Sequence, residues 1–217
     1  GYRHASYDDI PKSVLAKSKD GSGGDGSKLT LRISKGNDPR LILKSDPWSA
    51  LKVVVYMRAN GTPILVFYGT NPKSRPATIK SDLIAGALGI KDSAFQDADR
   101  LVAAFIKQFG KVEVIGHSLG GGIAQYAGIK NNSKVTTFNS MALHINLRNR
   151  LGQKINNADV TNINTSSDVL SQTIESKFWI FKMIAQVGKC YVIPDSGGHR
   201  MKDVVKGMKK LLGDKWQ

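Results

Sequence analysis

The pattern of hydrophobic and polar positions changes character along the chain. Residues 1–27 are predominantly polar and end in Asp20-Gly21-Ser22-Gly23-Gly24-Asp25-Gly26-Ser27, a composition that predicts a flexible N-terminal segment. A strand-like run follows at Leu29 to Ile33, and from Ala50 the pattern becomes regular. Leu51 to Met57 and Pro63 to Tyr68 read as strands joined by a hairpin turn at Asn60-Gly61. Helices are expected over Thr78–Leu88 and Ser93–Phe109. In the second, Leu101, Val102, Phe105, Ile106 and Phe109 share one face, as in a helix laid on a sheet. Short apolar runs at Lys111–Ile115, Lys134–Phe138, Val160–Asn164 and Lys189–Ile193 then alternate with helical or irregular stretches. The alternation predicts an α/β fold, a mainly parallel central sheet with helices on both faces. A last helix, Met201–Leu212, repeats Met201, Val204, Val205, Met208, Leu211 and Leu212 at helical spacing, a face expected to pack on the core. At 217 residues the chain is sized for one core, so residues 28–217 are read as a single domain.

One apolar run is interrupted in a way that carries chemistry. Lys111 to Ile115 reads as a strand, Gly116-His117-Ser118-Leu119-Gly120 follows, and Ile123, Tyr126, Ala127 and Lys130 continue at helical spacing. A serine between glycines at a strand-to-helix junction is the setting of a nucleophile elbow, where the chain turns too sharply for side chains at the flanks. With 22 glycines in the chain, G-x-S-x-G alone is a weak signal, so the strand and helix around it carry the reading. The Leu119 N–H, at the start of that helix, is positioned to stabilise an oxyanion. By contrast, Gly21, Gly23 and Gly26 fit G-x-G-x-x-G without a preceding strand or a following helix, and no phosphate cradle is expected there.

The G-H-S-L-G-G run at 116–121, together with V-F-Y-G-T at 66–70, resembles the class 3 lipases, the fungal triacylglycerol lipase-like branch of the α/β-hydrolase fold. The resemblance runs from Leu51 to the C-terminal helix. It departs from the family pattern at Tyr68, where the family has arginine, and at Phe138-Asn139-Ser140-Met141, which replaces a Gly-x-Pro.

The remaining site residues follow from sheet geometry, because the site of a parallel sheet is built from loops leaving the C-terminal strand ends. Ser118 leaves the strand 111–115, Asp168 follows the strand 160–164, and His199 follows the strand 189–193 after a glycine-rich loop. The order Ser, Asp, His is that of the α/β-hydrolases. His144 is the rival base and Asp195 the rival acid. The resemblance also points to His199, since the lipases place their histidine before a short C-terminal helix, and to Asp168 in the family's acid loop. Thr70, leaving the strand 63–68 at the same edge, can offer an N–H and a hydroxyl as a second oxyanion donor. Its counterpart in the lipases does so.

Composition refines this picture. Thirty-two lysines and arginines against 17 acidic residues make a surface that attracts polyanions, anionic lipid included. No nucleic-acid-binding signature accompanies the charge, and no nucleic-acid partner is expected. The lone Cys190, in an apolar run, is read as a buried inert thiol. No cofactor or metal is called for. No apolar run reaches membrane-spanning length and no signal peptide is evident, so a soluble protein peripheral to membranes is expected, though a chain beginning at Gly1 does not fix its compartment. The residues and the resemblance together imply a serine carboxylester hydrolase acting on lipid acyl esters, lipase or phospholipase. The charge suits an effector delivered against another cell's membrane, and any inhibitory partner is unknown. Hydrolysis of a thioester or peptide, or lipid binding without catalysis, are the alternatives.

Overall fold

The computed structural model describes residues 1–14, 32–33, 42–44, 51–69, 92–168 and 184–215. The strands are β1 (Tyr2–His4), β2 (Arg32–Ile33), β3 (Ile42–Lys44), β4 (Lys52–Arg58), β5 (Pro63–Phe67), β6 (Glu113–His117), β7 (Lys134–Phe138), β8 (Leu143–His144), β9 (Val160–Thr165), β10 (Ile184–Ala185) and β11 (Lys189–Ile193). The helices are α1 (Asp92–Phe109), α2 (Leu119–Lys130), α3 (Ile145–Leu151) and α4 (Met201–Leu212). The main sheet runs β11-β9-β7-β6-β5-β4-β3-β2, and β8 and β10 form a separate two-stranded ribbon. Within the main sheet every pairing from β5 to β11 is parallel, whereas β4 meets β5, β3 and β1 antiparallel. The central sheet is thus parallel where it carries the site, and the hairpin around Asn60-Gly61 forms its antiparallel flank.

Alternation along the strands assigns the helices to faces. Val114 and Gly116 point toward α2, since a Cβ on Gly116 would meet Gly120 of that helix. Register carries that face across the sheet through Thr137 and Asn162 to Cys190. Ile193, three residues on, therefore points the other way, and there it meets Gly207 of α4. Helices cover both faces, as the alternation predicts. The α2 helix is buried along nearly its whole length, and Phe67, Phe105, Leu101 and Leu65 are among the largest side chains wholly removed from water around it. Burying each such side chain contributes about 2 kcal/mol, and this core fixes the strand ends that hold the site.

Three sequence expectations are revised. The start of the segment expected to be flexible is part of the fold: β1 pairs with β4, Ile10 and Val14 are buried in the core, and residues 15–27 lie outside those described. Its tether is ionic as well as apolar. The Arg3 guanidinium donates to both Asp9 oxygens at 2.7 and 2.9 Å and holds that carboxyl well below the usual carboxylate range. Secondly, α4 docks more narrowly than its periodicity implies. Only Val204 and Gly207 are buried, the bare Gly207 lying close against Ile193 and Ser196, while Met201 and Leu211 stay exposed. Finally, Cys190 is exposed on the edge strand β11. Its sulfur is still partly shielded, near Asn162 Nδ2 at 3.6 Å, and that desolvation pushes the thiol pKa up, so it stays a poor nucleophile. The expected helix over 78–88 and the segment 71–77 lie outside the described residues.

Candidate active site

Ser118 sits where β6 ends and α2 begins, at φ 58° and ψ −127°, a left-handed region that a non-glycine residue enters only when its surroundings impose it. Its surroundings do so through the backbone. The Ser118 N–H donates to Phe138 O at 3.2 Å, and its carbonyl accepts from Met141 N at 2.9 Å and Gly121 N at 3.0 Å. The flanking glycines are required by contact: a Cβ on Gly116 would run into the Gly120 carbonyl, and one on Gly120 into the Phe67 carbonyl. Gly120→Ala therefore has to displace β5 from α2, and we expect it to destabilise the fold by roughly 3 kcal/mol. Urea unfolding with a wild-type midpoint would show that the backbone accommodates it.

The Ser118 hydroxyl makes no capping bond to its helix. Instead it lies 2.8 Å from His199 Nε2, and His199 Nδ1 lies 2.7 Å from Asp168 Oδ1. The carboxylate can only accept, so Nδ1 carries the proton and the neutral ring presents a bare Nε2 to the serine hydroxyl. Asp168 is wholly buried and Ser118 is nearly so. The sequence-predicted Ser118, Asp168 and His199 are thus brought together from three loops at one sheet edge.

The rivals are elsewhere. The Asp195 side chain is 85% exposed and pairs loosely with Lys210 at 3.8 Å. His144 caps α3, with Nδ1 accepting from Asn146 N at 3.2 Å. Leu119 is the first residue of α2, so its N–H has no intrahelical acceptor. Thr70 lies outside the described residues. Its neighbour Gly69 is packed against the elbow, where an added Cβ would lie 2.8 Å from His117 O and 3.1 Å from Ser118 Cβ. Among the described residues no group of three His, Cys, Asp or Glu side chains gathers as a metal site.

Sequence reasoning missed the polar scaffold behind these groups. Ser166 and Ser196 exchange hydrogen bonds between the loops that bear Asp168 and His199, including Ser166 Oγ to Ser196 O at 2.7 Å and Ser196 N to Ser166 Oγ at 3.1 Å. Asn139, at φ 41° and without solvent exposure, accepts from Thr165 N at 2.8 Å. The available signal was that Asn139 and Thr165 are polar residues at the C-terminal ends of buried strands.

A parallel sheet with a strained serine at a strand-to-helix turn, and with the other site residues on later strand ends, defines the α/β-hydrolase fold. The family model of the Tle-like phospholipase domain, described as phospholipase-like, matches residues 20–214, and the chain belongs to that family. It is accordingly a phospholipase-like hydrolase domain for ester bonds. Among solved structures it is similar to a thermophilic esterase, Est2, from the Planctomycetes species Thermogutta terrifontis. That match has 13% identity and a TM-score of 0.38, and covers 86% of this chain and 92% of that one. A search of the curated proteins gives no match.

Proposed function

We propose that the protein is a serine hydrolase of lipid acyl esters, a phospholipase in which Ser118 is the nucleophile, His199 the base and Asp168 the acid. The observation that carries this reading is the 2.8 Å approach of the Ser118 hydroxyl to His199 Nε2 at the elbow. As Oγ attacks the acyl carbonyl, its proton passes to Nε2, and buried Asp168 stabilises the imidazolium that forms. The tetrahedral oxyanion is met by Leu119 N–H and, in this reading, by Thr70, each donor lowering the barrier by about 3 kcal/mol. His199 then returns its proton to the departing alcohol, and a water molecule activated the same way releases the fatty acid. Membership of the Tle-like phospholipase family and the class 3 lipase-like residues of the elbow support an ester of a lipid over a thioester or peptide. Purified protein offered phospholipids, glycerides and short p-nitrophenyl esters tests this: hydrolysis of phospholipid is expected, and thioesterase or peptidase activity alone would overturn it.

The substrate surface in this reading is an anionic membrane, as suits an effector acting on another cell. Lys202, Lys206, Lys209 and Lys210 are exposed along α4, which begins two residues after His199, with exposed Met201 in its first turn and exposed Leu211 in its last. Each lysine near such a surface contributes about 1 kcal/mol, an attraction that salt screens. Co-sedimentation is expected to rise with the anionic lipid fraction and fall by ~0.5 M salt. Changing the four lysines to glutamine is expected to weaken it while sparing hydrolysis of a soluble ester. Equal binding to neutral and anionic vesicles would leave the charge with no part in docking.

A further inference from the structure

The base sits on a loop that cannot hold itself. Gly197 and Gly198, the latter at φ 81°, precede His199, so the peptide leading into the imidazole has little intrinsic preference for one path. Its carbonyls are nevertheless gripped from three other strand ends. His199 O accepts from His117 Nε2 at 2.7 Å and from Asn139 Nδ2 at 3.2 Å. Gly198 O accepts from Thr165 Oγ1 at 2.6 Å and Asn139 Nδ2 at 3.2 Å. None of these donors is needed to pair the strands, and all converge on two successive carbonyls.

His117 is the unexpected member, since its neighbour Ser118 turns the other way into the elbow. Its ring lies 5.0 Å from that of His199, tilted by 37°. A carbonyl only accepts, so Nε2 must carry the proton. Burial pushes the His117 pKa down, although its bond to the His199 carbonyl works in the opposite direction. A neutral ring of this tautomer donates without adding a positive charge beside the base, where it would oppose formation of the His199 imidazolium.

We infer that His117 and Asn139 are positioning residues that hold the base His199 in register with Ser118 through the His199 backbone carbonyl. This rests on the reading of Ser118, His199 and Asp168 proposed above. A misplacement of about 1 Å costs a reaction on the order of 10²-fold, so an anchor on the base's own backbone should be visible in turnover and not in substrate binding.

The test compares His117→Leu, which removes the donor, with His117→Gln, whose Nε2 stands the same number of bonds from the backbone. His117→Leu is expected to keep KM and lower kcat by about 10- to 100-fold. The downfield proton of the His199 Nδ1–H···Asp168 bond, assigned by its loss in His199→Gln, should shift or broaden in the leucine variant. His117→Gln should recover most of both. A leucine variant with wild-type kcat and an unmoved proton signal would overturn the inference, as would leucine and glutamine variants that are equally impaired. If His117→Leu does not fold, His117→Asn replaces it, being polar but one bond too short to reach, and equal behaviour of asparagine and glutamine then refutes the inference. The proton signal reports on His199 independently of turnover. Activity surviving Ser118→Ala would instead fail the underlying reading of the site.

Discussion

Ser118→Ala is expected to leave a folded protein with kcat lowered by about 10⁴-fold or more, because without the hydroxyl no acyl-enzyme forms. That loss corresponds to roughly 5.5 kcal/mol of barrier. The fold should tolerate the change because the bonds that force the elbow into shape use the Ser118 backbone N–H and carbonyl, and its side chain caps nothing. Alanine meets the same strain at φ 58° that serine already bears. His199→Ala should lose about as much activity, and the double variant little more than either alone, since the groups act as one unit. Ester turnover and covalent labelling by a fluorophosphonate read both effects. A Ser118→Ala protein that keeps a tenth of wild-type activity would sink the assignment of the nucleophile.

Much of the fold was legible because the relevant signals are local. Leu101, Val102 and Phe105 at helical spacing announced a helix packed on a sheet, and all are buried in α1. The apolar runs located β4, β5, β7, β9 and β11 to within a residue or two. The start of β6 was read two residues early, since Lys111 and Val112 continue the strand-like pattern although pairing with β5 begins at Glu113. What eluded the sequence depends on distant partners. Tyr2–His4 looks like a polar tail until the outer edge of β4 is there to pair with it. Likewise, nothing in the periodicity of α4 reveals that the helix docks through Gly207 against Ile193 while Leu211 is left in solvent.

The site was legible to the extent that topology constrains it. Once Ser118 is on an elbow and the sheet is parallel, its partners come from loops leaving the C-terminal strand ends, and that rule offered Asp168 after β9 and His199 after β11, with His144 after β7 as the rival base. It could not order Asp168 above Asp195, because both follow a strand at the same edge. The difference arises from the turn after β11. Asp195 stands at φ 48° with its side chain out in solvent, while Ser196, turned inward, binds the Asp168 loop. The polar scaffold was invisible for a related reason. Asn139, Thr165 and Ser166 read as ordinary loop residues until the loops they join are placed side by side.

Asp168→Asn is the substitution that separates these two carboxylates. Asparagine has the same shape, so the buried position should keep its packing and the protein its melting temperature. Its amide, however, can donate to His199 Nδ1 and move the imidazole proton to Nε2, where it faces the Ser118 hydroxyl and abolishes the base. The carboxylate charge that stabilises the imidazolium is lost as well. We expect kcat to fall by about 10⁴-fold, with KM little changed. Asp195→Asn should be silent, because that side chain is 85% exposed and lies near Lys210, not His199. Asparagine also adopts the left-handed backbone of position 195 as readily as aspartate does. Full activity in Asp168→Asn combined with loss in Asp195→Asn would transfer the acid role. It would mean that the 2.7 Å contact between His199 Nδ1 and Asp168 gives way in solution to a loop arrangement that brings Asp195 inward.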